Sequence, residues 1–334
     1  MFNDFYIRKE YLEAQDDSRE RLSAKSRKAL SETKSIHTID AYESDWNDFC
    51  DWCRYNKQSA FPATATTIVN YINDLADNAK ISTIRRRISA ISENYNAAHA
   101  GGIPFSNPCR EWIVKEALVG LSRHKVGAQQ GKTPIYWEEI QKMVNTMDLT
   151  TLSGLRDRAI LLLGFMGAFR RSEISGLDVG NLSFFPQGMV VTIAHSKTDQ
   201  SSEGQQVGIP YIGDDDLCPI QAVRAWMSAA GIKDGPLFRS LTRSGTASTR
   251  RLSDKSINLI IKKYVQAIGL DPDLYGAHSL RHGFATSAAL KGVEERLIMK
   301  QTRHRSVEMV RHYINEADLF VNNPISLMFN APKK

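Results

Sequence analysis

Residues 189–212 read MVVTIAHSKTDQSSEGQQVGIPYI and set the fold class of the 334-residue chain. MVVTIAHS and QQVGIPYI are β-type runs, and the polar, glycine-containing KTDQSSEG between them has the composition of a turn, so the stretch predicts an antiparallel hairpin. Outside it the dominant signal is helical. The chain therefore reads as mainly α with a small antiparallel β-sheet in its second half, an α+β arrangement. Lys197 stands at the mouth of the hairpin, where a lysine taken alone is an exposed surface residue.

Before the hairpin, residues 125–134 read KVGAQQGKTP, with no hydrophobic period, the composition of a flexible connector. This predicts a boundary between a helical unit over 35–124 and a second domain over 135–334. In the first unit Ile39, Tyr42, Trp46, Phe49 and Cys53 fall on one helical stripe. Pro62 and Thr64 open a second helix, and TIRRRISAISENYNAA forms a third that Gly101 and Gly102 close. A fourth spans roughly 108 to 122. Lys80, Arg85, Arg86 and Arg87 crowd KISTIRRRIS without an acid, either as a solvated basic face or as a surface for a phosphate backbone. Residues 1–34 are polar and mixed in charge, a loosely held arm or short helix.

Lys and Arg number 43 against 37 Asp and Glu, and the isoelectric point is about 9.0. A polyanionic partner is compatible with that balance, which by itself identifies none. The apolar content of 42% supplies core for two domains. Of the cysteines, Cys50 and Cys53 form CDWC, but no second CxxC or histidine pair completes a metal site, so Cys50, Cys53, Cys109 and Cys218 read as reduced thiols without a metal. The opening MFNDFYIRKE carries charges where a signal peptide needs an apolar run, and AILLLGFMGAF at 159–169 is too short to span a bilayer. The expectation is a cytoplasmic protein, nucleoid-associated if the source is bacterial or phage.

Three further segments place chemistry in the second domain. LLLGFMGAFRRSEISGL brings Arg170 to the end of an apolar helix beside Glu173, as a structural ion pair or as an anion-binding arginine. In GAHSLRHGFATSAALKG, His278 and Arg281 are i, i+3 neighbours at a helix start, where free N–H groups also favour an anion. In TRHRSVEMVRHYI, residues 302–314, Ser306 caps a helix whose apolar stripe is Val307, Val310 and Ile314. Tyr313 flanks that stripe, and His304 precedes the cap, close enough to fold back toward the same pocket.

In order, Arg170 in FRRSEI, Lys197 in SKTDQ, His278 and Arg281 in HSLRHGFAT, and His304 nine residues before Tyr313 resemble the active-site set of the tyrosine recombinase (phage integrase) family. The likeness runs through the chain from about residue 35. The family pattern puts its first arginine three residues before the acid, which selects Arg170 over Arg171. One position departs: the family usually has glycine before the last histidine, and here it is Arg303.

The resemblance implies a two-domain DNA clamp, with a helical, SAM-like core-binding domain at 35–124 and a catalytic domain with a carboxy-terminal tail at 135–334. It implies Tyr313 as nucleophile in a 3'-phosphotyrosine intermediate, Arg170, Arg281 and His304 on the phosphate, Lys197 as general acid, His278 as the proton acceptor for Tyr313 and Glu173 in support, with no metal or cofactor. DNA contacts are expected from Lys80, Arg85, Arg86 and Arg87, and from Arg243, Arg250 and Arg251. The expected partners are double-stranded DNA carrying recombination sites and a homotetramer that exchanges tails, with accessory DNA-bending proteins left open. A type IB topoisomerase and a catalytically silent DNA-binding regulator are the alternatives.

Overall fold

The structure, a computed structural model, describes residues 34, 36–100, 103–124, 132–193, 204–304, 306–308 and 311. The chain divides into two compact units between Gln129 and Gln130, inside the stretch read as a connector.

In the first unit, α1 (Ile36–Tyr55) buries Trp46, Phe49 and Cys53 on the expected stripe. α2 (Ala65–Ala76) starts where Thr64 accepts a hydrogen bond from the Thr67 N–H at 3.1 Å, and it buries Ile68, Tyr71 and Ile72. α3 (Ile81–Ala100) adds Ile84, Ile88, Ile91 and Tyr95. A 3₁₀ turn at Pro108–Arg110, with Asn107 accepting from the Cys109 N–H, leads into α4 (Trp112–His124), so the fourth helix starts later than expected. The core is aromatic: Phe49 lies 5.8 Å from Trp46 and 5.0 Å from Tyr71, centroid to centroid. Each fully buried side chain of this size contributes about 1.5–3 kcal/mol relative to exposure.

The second unit is built on α6 (Leu152–Met166), which buries Leu161, Leu162, Leu163 and Phe165 and follows α5 (Trp137–Asn145). A short α7 (Arg171–Gly176) leads to the antiparallel sheet β1 (Leu182–Phe185), β2 (Gly188–Ile193) and β3 (Gln205–Pro210). The quoted hairpin is β2 with β3, paired Met189 to Ile209 and Val191 to Val207, with all four side chains turned into the core. The chain continues through α8 (Pro219–Ala229), a second hairpin of β4 (Arg239–Leu241) and β5 (Ala247–Arg251), α9 (Asp254–Ala267), α10 (Ala277–Leu290) and α11 (Glu295–Thr302). α8 and α10 both pack on α6.

Two local readings change. α6 does not run to Arg170: Gly167 caps it, Ala168 turns the backbone at φ +45°, and Arg170 is the N-cap of α7. The end of the supposed flexible connector is fixed, because the Thr133 N–H donates to the Leu274 carbonyl and the Ile135 N–H to the Ser279 carbonyl, at 3.0 and 3.1 Å. Residues 132–135 thus form a strap along the start of α10. Gly283 of that helix permits it, since a β-carbon there would lie 1.7 Å from the Ile135 carbonyl oxygen.

Among the described residues no helix is long and apolar enough to cross a membrane, and no group of His, Cys, Asp and Glu is placed to hold a metal ion. Cys50, Cys53, Cys109 and Cys218 are buried thiols outside any disulfide.

Candidate active site

Arg281 anchors the site. It sits at the start of the second turn of α10, 1% exposed, in a place where a guanidinium must be hydrogen-bonded to be tolerated. Its Nη1 donates to the Ala168 carbonyl at 2.8 Å, and its Nε faces Nε2 of His304 at 3.4 Å. The turn that replaces the end of α6 therefore positions this arginine, and its geometry depends on the positive φ of Ala168.

His304 has folded back toward this pocket and is 9% exposed. The Thr302 hydroxyl donates to the Ile298 carbonyl at 2.7 Å, so it accepts from His304, whose Nδ1 lies 2.8 Å away. That places the ring proton on Nδ1 and leaves Nε2 as the acceptor facing Arg281. Burial first, then the charges of Arg281 and Arg170, push the pKa of His304 down to about 3. The ring is neutral at physiological pH. Thr302 was not among the residues singled out from sequence, where only its position two residues before the histidine could have flagged it.

His278, one turn before Arg281, exposes part of its ring to solvent. Its pKa is also lowered, by desolvation within the surrounding wall first and then by Arg281, His282 and Arg170, so it is a neutral acceptor of protons. Arg170 is partly exposed. The Arg170 N–H donates to Oε2 of Glu173 and its Nη1 to Oε1, at 2.9 and 2.7 Å. Burial would raise the pKa of Glu173, but the Arg303 guanidinium and then Arg170 hold it below the usual carboxylate range. The expected pairing of Arg170 with Glu173 is real, and a second arginine shares the acid. Arg303 donates to Glu173 Oε2 at 2.9 Å from a buried position.

Arg170, His278, Arg281 and His304 thus converge on one pocket of the second unit, with Glu173 behind them. Lys197 and Tyr313 lie outside the described residues. Of the basic residues named as DNA contacts, Lys80, Arg85, Arg86, Arg243, Arg250 and Arg251 are exposed and Arg87 is half-buried, and Arg85 donates to the Ser122 hydroxyl at 2.9 Å. Two of them have acidic partners on α1: Arg86 donates to Asp45 at 2.6 Å, and Arg87 pairs with Asp48 and donates to the Tyr71 hydroxyl at 2.9 Å. The run KISTIRRRIS contains no acid, but α1 supplies two across the helix interface. Arg251 is occupied similarly, donating to the carbonyls of Ser175 and Leu177 and to Asp178 at 2.9, 3.1 and 2.6 Å.

Residues 134–319 match the Phage integrase family, and residues 20–102 match its N-terminal SAM-like domain. The chain belongs to the phage integrase family. It is 45% identical over 317 residues to the integrase/recombinase xerD homolog of Selenomonas ruminantium, covering 95% of this chain and 92% of that protein. The fold is similar to that of XerH site-specific recombinase bound to palindromic difH substrate in a post-cleavage complex, with a TM-score of 0.68 at 14% identity, covering 98% of this chain and 96% of that one. It is also similar to a lambda integrase tetramer bound to a Holliday junction, with a TM-score of 0.56 at 16% identity over 91% of this chain and 76% of that one. Within this family the protein is an enzyme of the tyrosine recombinase type.

Proposed function

We propose that this recombinase cuts and rejoins DNA at specific sites through a 3'-phosphotyrosine intermediate formed on Tyr313. The observation that carries the reading is the convergence of Arg170, Arg281, His278 and His304 on one pocket, two cations and two neutral imidazoles suited to a phosphodiester. The Tyr313 oxygen attacks the scissile phosphorus, the bond to the 5'-oxygen breaks, and an aryl phosphodiester keeps the linkage ready for reversal. Negative charge gathers on the non-bridging oxygens, where planar bidentate guanidiniums from Arg170 and Arg281 are effective. His278 takes the phenolic proton and Lys197 protonates the departing 5'-oxygen. When DNA enters, the His304 ring proton moves from Nδ1 to Nε2, and Nε2 turns from Arg281 to donate to the phosphate.

Rejoining to a second duplex requires a 5'-hydroxyl from that duplex, so the working unit is a homotetramer on two DNA sites, with residues 35–124 and 135–334 both contacting the duplex. What supports tail exchange within that tetramer is an apolar cavity of about 410 Å³ in the second unit, lined by Trp137, Phe165, Phe284, Val293, Leu297 and Ile298. It suits Leu327, Met328 and Phe329 of a neighbouring tail. Lys80, Arg85, Arg243 and Arg250 are the phosphate contacts of this reading, and Arg86, Arg87 and Arg251 shape the surfaces that carry them. Its place of action is the cytoplasm, on the nucleoid if the source is bacterial or phage.

Covalent capture tests the proposal. The protein is incubated with fragments from its own genomic neighbourhood and denatured in detergent, and the DNA that stays attached is sequenced. The expected result is an adduct at one sequence that disappears in Tyr313→Phe while DNA binding persists. Binding without adduct in the wild type would point to a regulator or to a recombinase awaiting an accessory factor, and relaxation of plasmid lacking any specific site would favour a topoisomerase.

A further inference from the structure

Arg303 occupies the left-handed region of the backbone at φ +56°, ψ +41°. Glycine enters this region readily and arginine does not, which accounts physically for the glycine expected at this position. What holds an arginine here is its side chain. The guanidinium is 8% exposed and donates from Nη1 to the carbonyls of Gly167 and Gln301, both at 2.9 Å, and from Nη2 to the Ala168 carbonyl at 3.1 Å and Glu173 Oε2 at 2.9 Å. It also lies over the Phe169 ring, 5.0 Å from the centroid. Ala168 has positive φ too, so the Arg303 to Ala168 hydrogen bond joins two residues in strained backbone conformations.

The acceptors are shared. The Ala168 carbonyl also receives Nη1 of Arg281, and Glu173 also receives the backbone and side chain of Arg170. A single guanidinium is therefore one hydrogen-bond acceptor away from each of the two phosphate arginines, and the next residue in the chain is His304. With one carboxylate divided between two cations, the group of Arg170, Glu173 and Arg303 keeps a net positive charge facing the pocket.

We propose that Arg303 is a positioning residue for the cleavage reaction: it fixes Arg170 and Arg281 relative to each other across the scissile phosphate and seats His304 between them. This rests on the phosphotyrosine reading above. Arg303 does not touch the DNA in this account. It substitutes a hydrogen-bonded side chain for the backbone freedom of glycine, and so makes the site depend on a group outside the six residues that carry the chemistry.

The test uses the full chain, a nicked substrate carrying its captured site, and four variants: Arg303→Gly, Arg303→Lys, Glu173→Gln, and the double variant Arg303→Gly with Glu173→Gln. Glycine suits this backbone better than arginine, so Arg303→Gly removes the side chain without adding backbone strain. Expected for Arg303→Gly is DNA affinity within about twofold of wild type and single-turnover adduct formation slower by about tenfold or more. Arg303→Lys recovers part of the rate, because an ammonium restores charge but cannot span four acceptors in a planar fork. The double variant is no slower than the slower single variant, the signature of residues acting as one unit.

A wild-type rate in Arg303→Gly, a loss that tracks DNA affinity, or additive losses in the double variant would overturn the proposal. Nitrogen-15 NMR of His304 gives a readout independent of turnover. The wild type should show the neutral ring protonated on Nδ1, and Arg303→Gly should perturb that state; an unchanged His304 signal would overturn the seating role. Absence of any adduct from the wild type would instead strike the phosphotyrosine reading, leaving the NMR comparison to decide on Arg303.

Discussion

His304 is neutral in the folded protein because burial and the charges of Arg281 and Arg170 oppose its protonation, with a pKa near 3 against the ordinary 6.5. The unfolded chain binds that proton below about pH 6.5 and the folded one does not, so stability falls as pH drops from 6.5 toward 3. The penalty is on the order of 1 kcal/mol at pH 5.5. Glu173 titrates in a separate window: its depressed pKa contributes stability above its ordinary value near 4.5 that is lost as pH falls further. Urea melts at pH 7.5 and 5.5 should therefore show wild type losing more stability than His304→Gln over this interval; equal losses would contradict the burial account. At this scale the sequence made the Arg170 to Glu173 pair legible from its i, i+3 spacing, although it put Arg170 at the end of a helix and not at the start of one. The part played by Arg303 was not legible. Its acceptors Gly167, Ala168 and Glu173 lie 130 or more positions away, and its reach depends on a left-handed backbone that arginine seldom adopts.

Helices α1 to α4 were readable because their apolar residues repeat with the helical period, as Trp46, Phe49 and Cys53 do on α1. β4 and β5 carry no such alternation. Hydroxyl contacts such as Ser240 to Ser248 and Thr242 to Thr246, at 2.8 and 2.7 Å, help hold that hairpin, and polar contacts leave no hydrophobic pattern. The acids that face the basic run on α3 were hidden in a similar way, since Asp45 and Asp48 reach Arg86 and Arg87 from another helix. This divides the run into two roles with different readouts. Lys80→Ala and Arg85→Ala should each weaken DNA binding across sequences and lower the salt slope by about 1. Arg87→Ala should act on folding, costing about 1–3 kcal/mol by removing a partner of Asp48 and Tyr71, with the salt slope preserved. The reverse assignment in salt titrations would sink this division. α10 makes its own prediction. Gly283→Ala drives a methyl into the Ile135 carbonyl, displacing the strap along the helix that carries His278 and Arg281. It should cost about 1–3 kcal/mol in a denaturant melt and slow cleavage with it; an unchanged midpoint would show that the strap yields freely.

Across the whole molecule, the family, the mainly α fold with its small sheet, and the existence of two units followed from motif order and the polar connector. The connector's extent did not, since Thr133 is tied to Leu274 and Ile135 to Ser279 of α10 by backbone bonds that leave no mark on composition. The apolar cavity beside Phe284 was equally invisible, because its lining comes from residues spread between Trp137 and Ile298. Deleting the chain from Asn323 onward should leave site binding intact and abolish tetramers on DNA in sedimentation analysis; tetramers that persist would remove tail exchange from the account. The central claim is narrower, that Tyr313 becomes covalently joined to DNA. Mass spectrometry of the peptide left attached after nuclease and protease digestion of the captured adduct tests it most directly. A 3'-phosphoryl nucleotide on Tyr313 is the predicted result; attachment to any other residue, or through a 5'-phosphate, would contradict it.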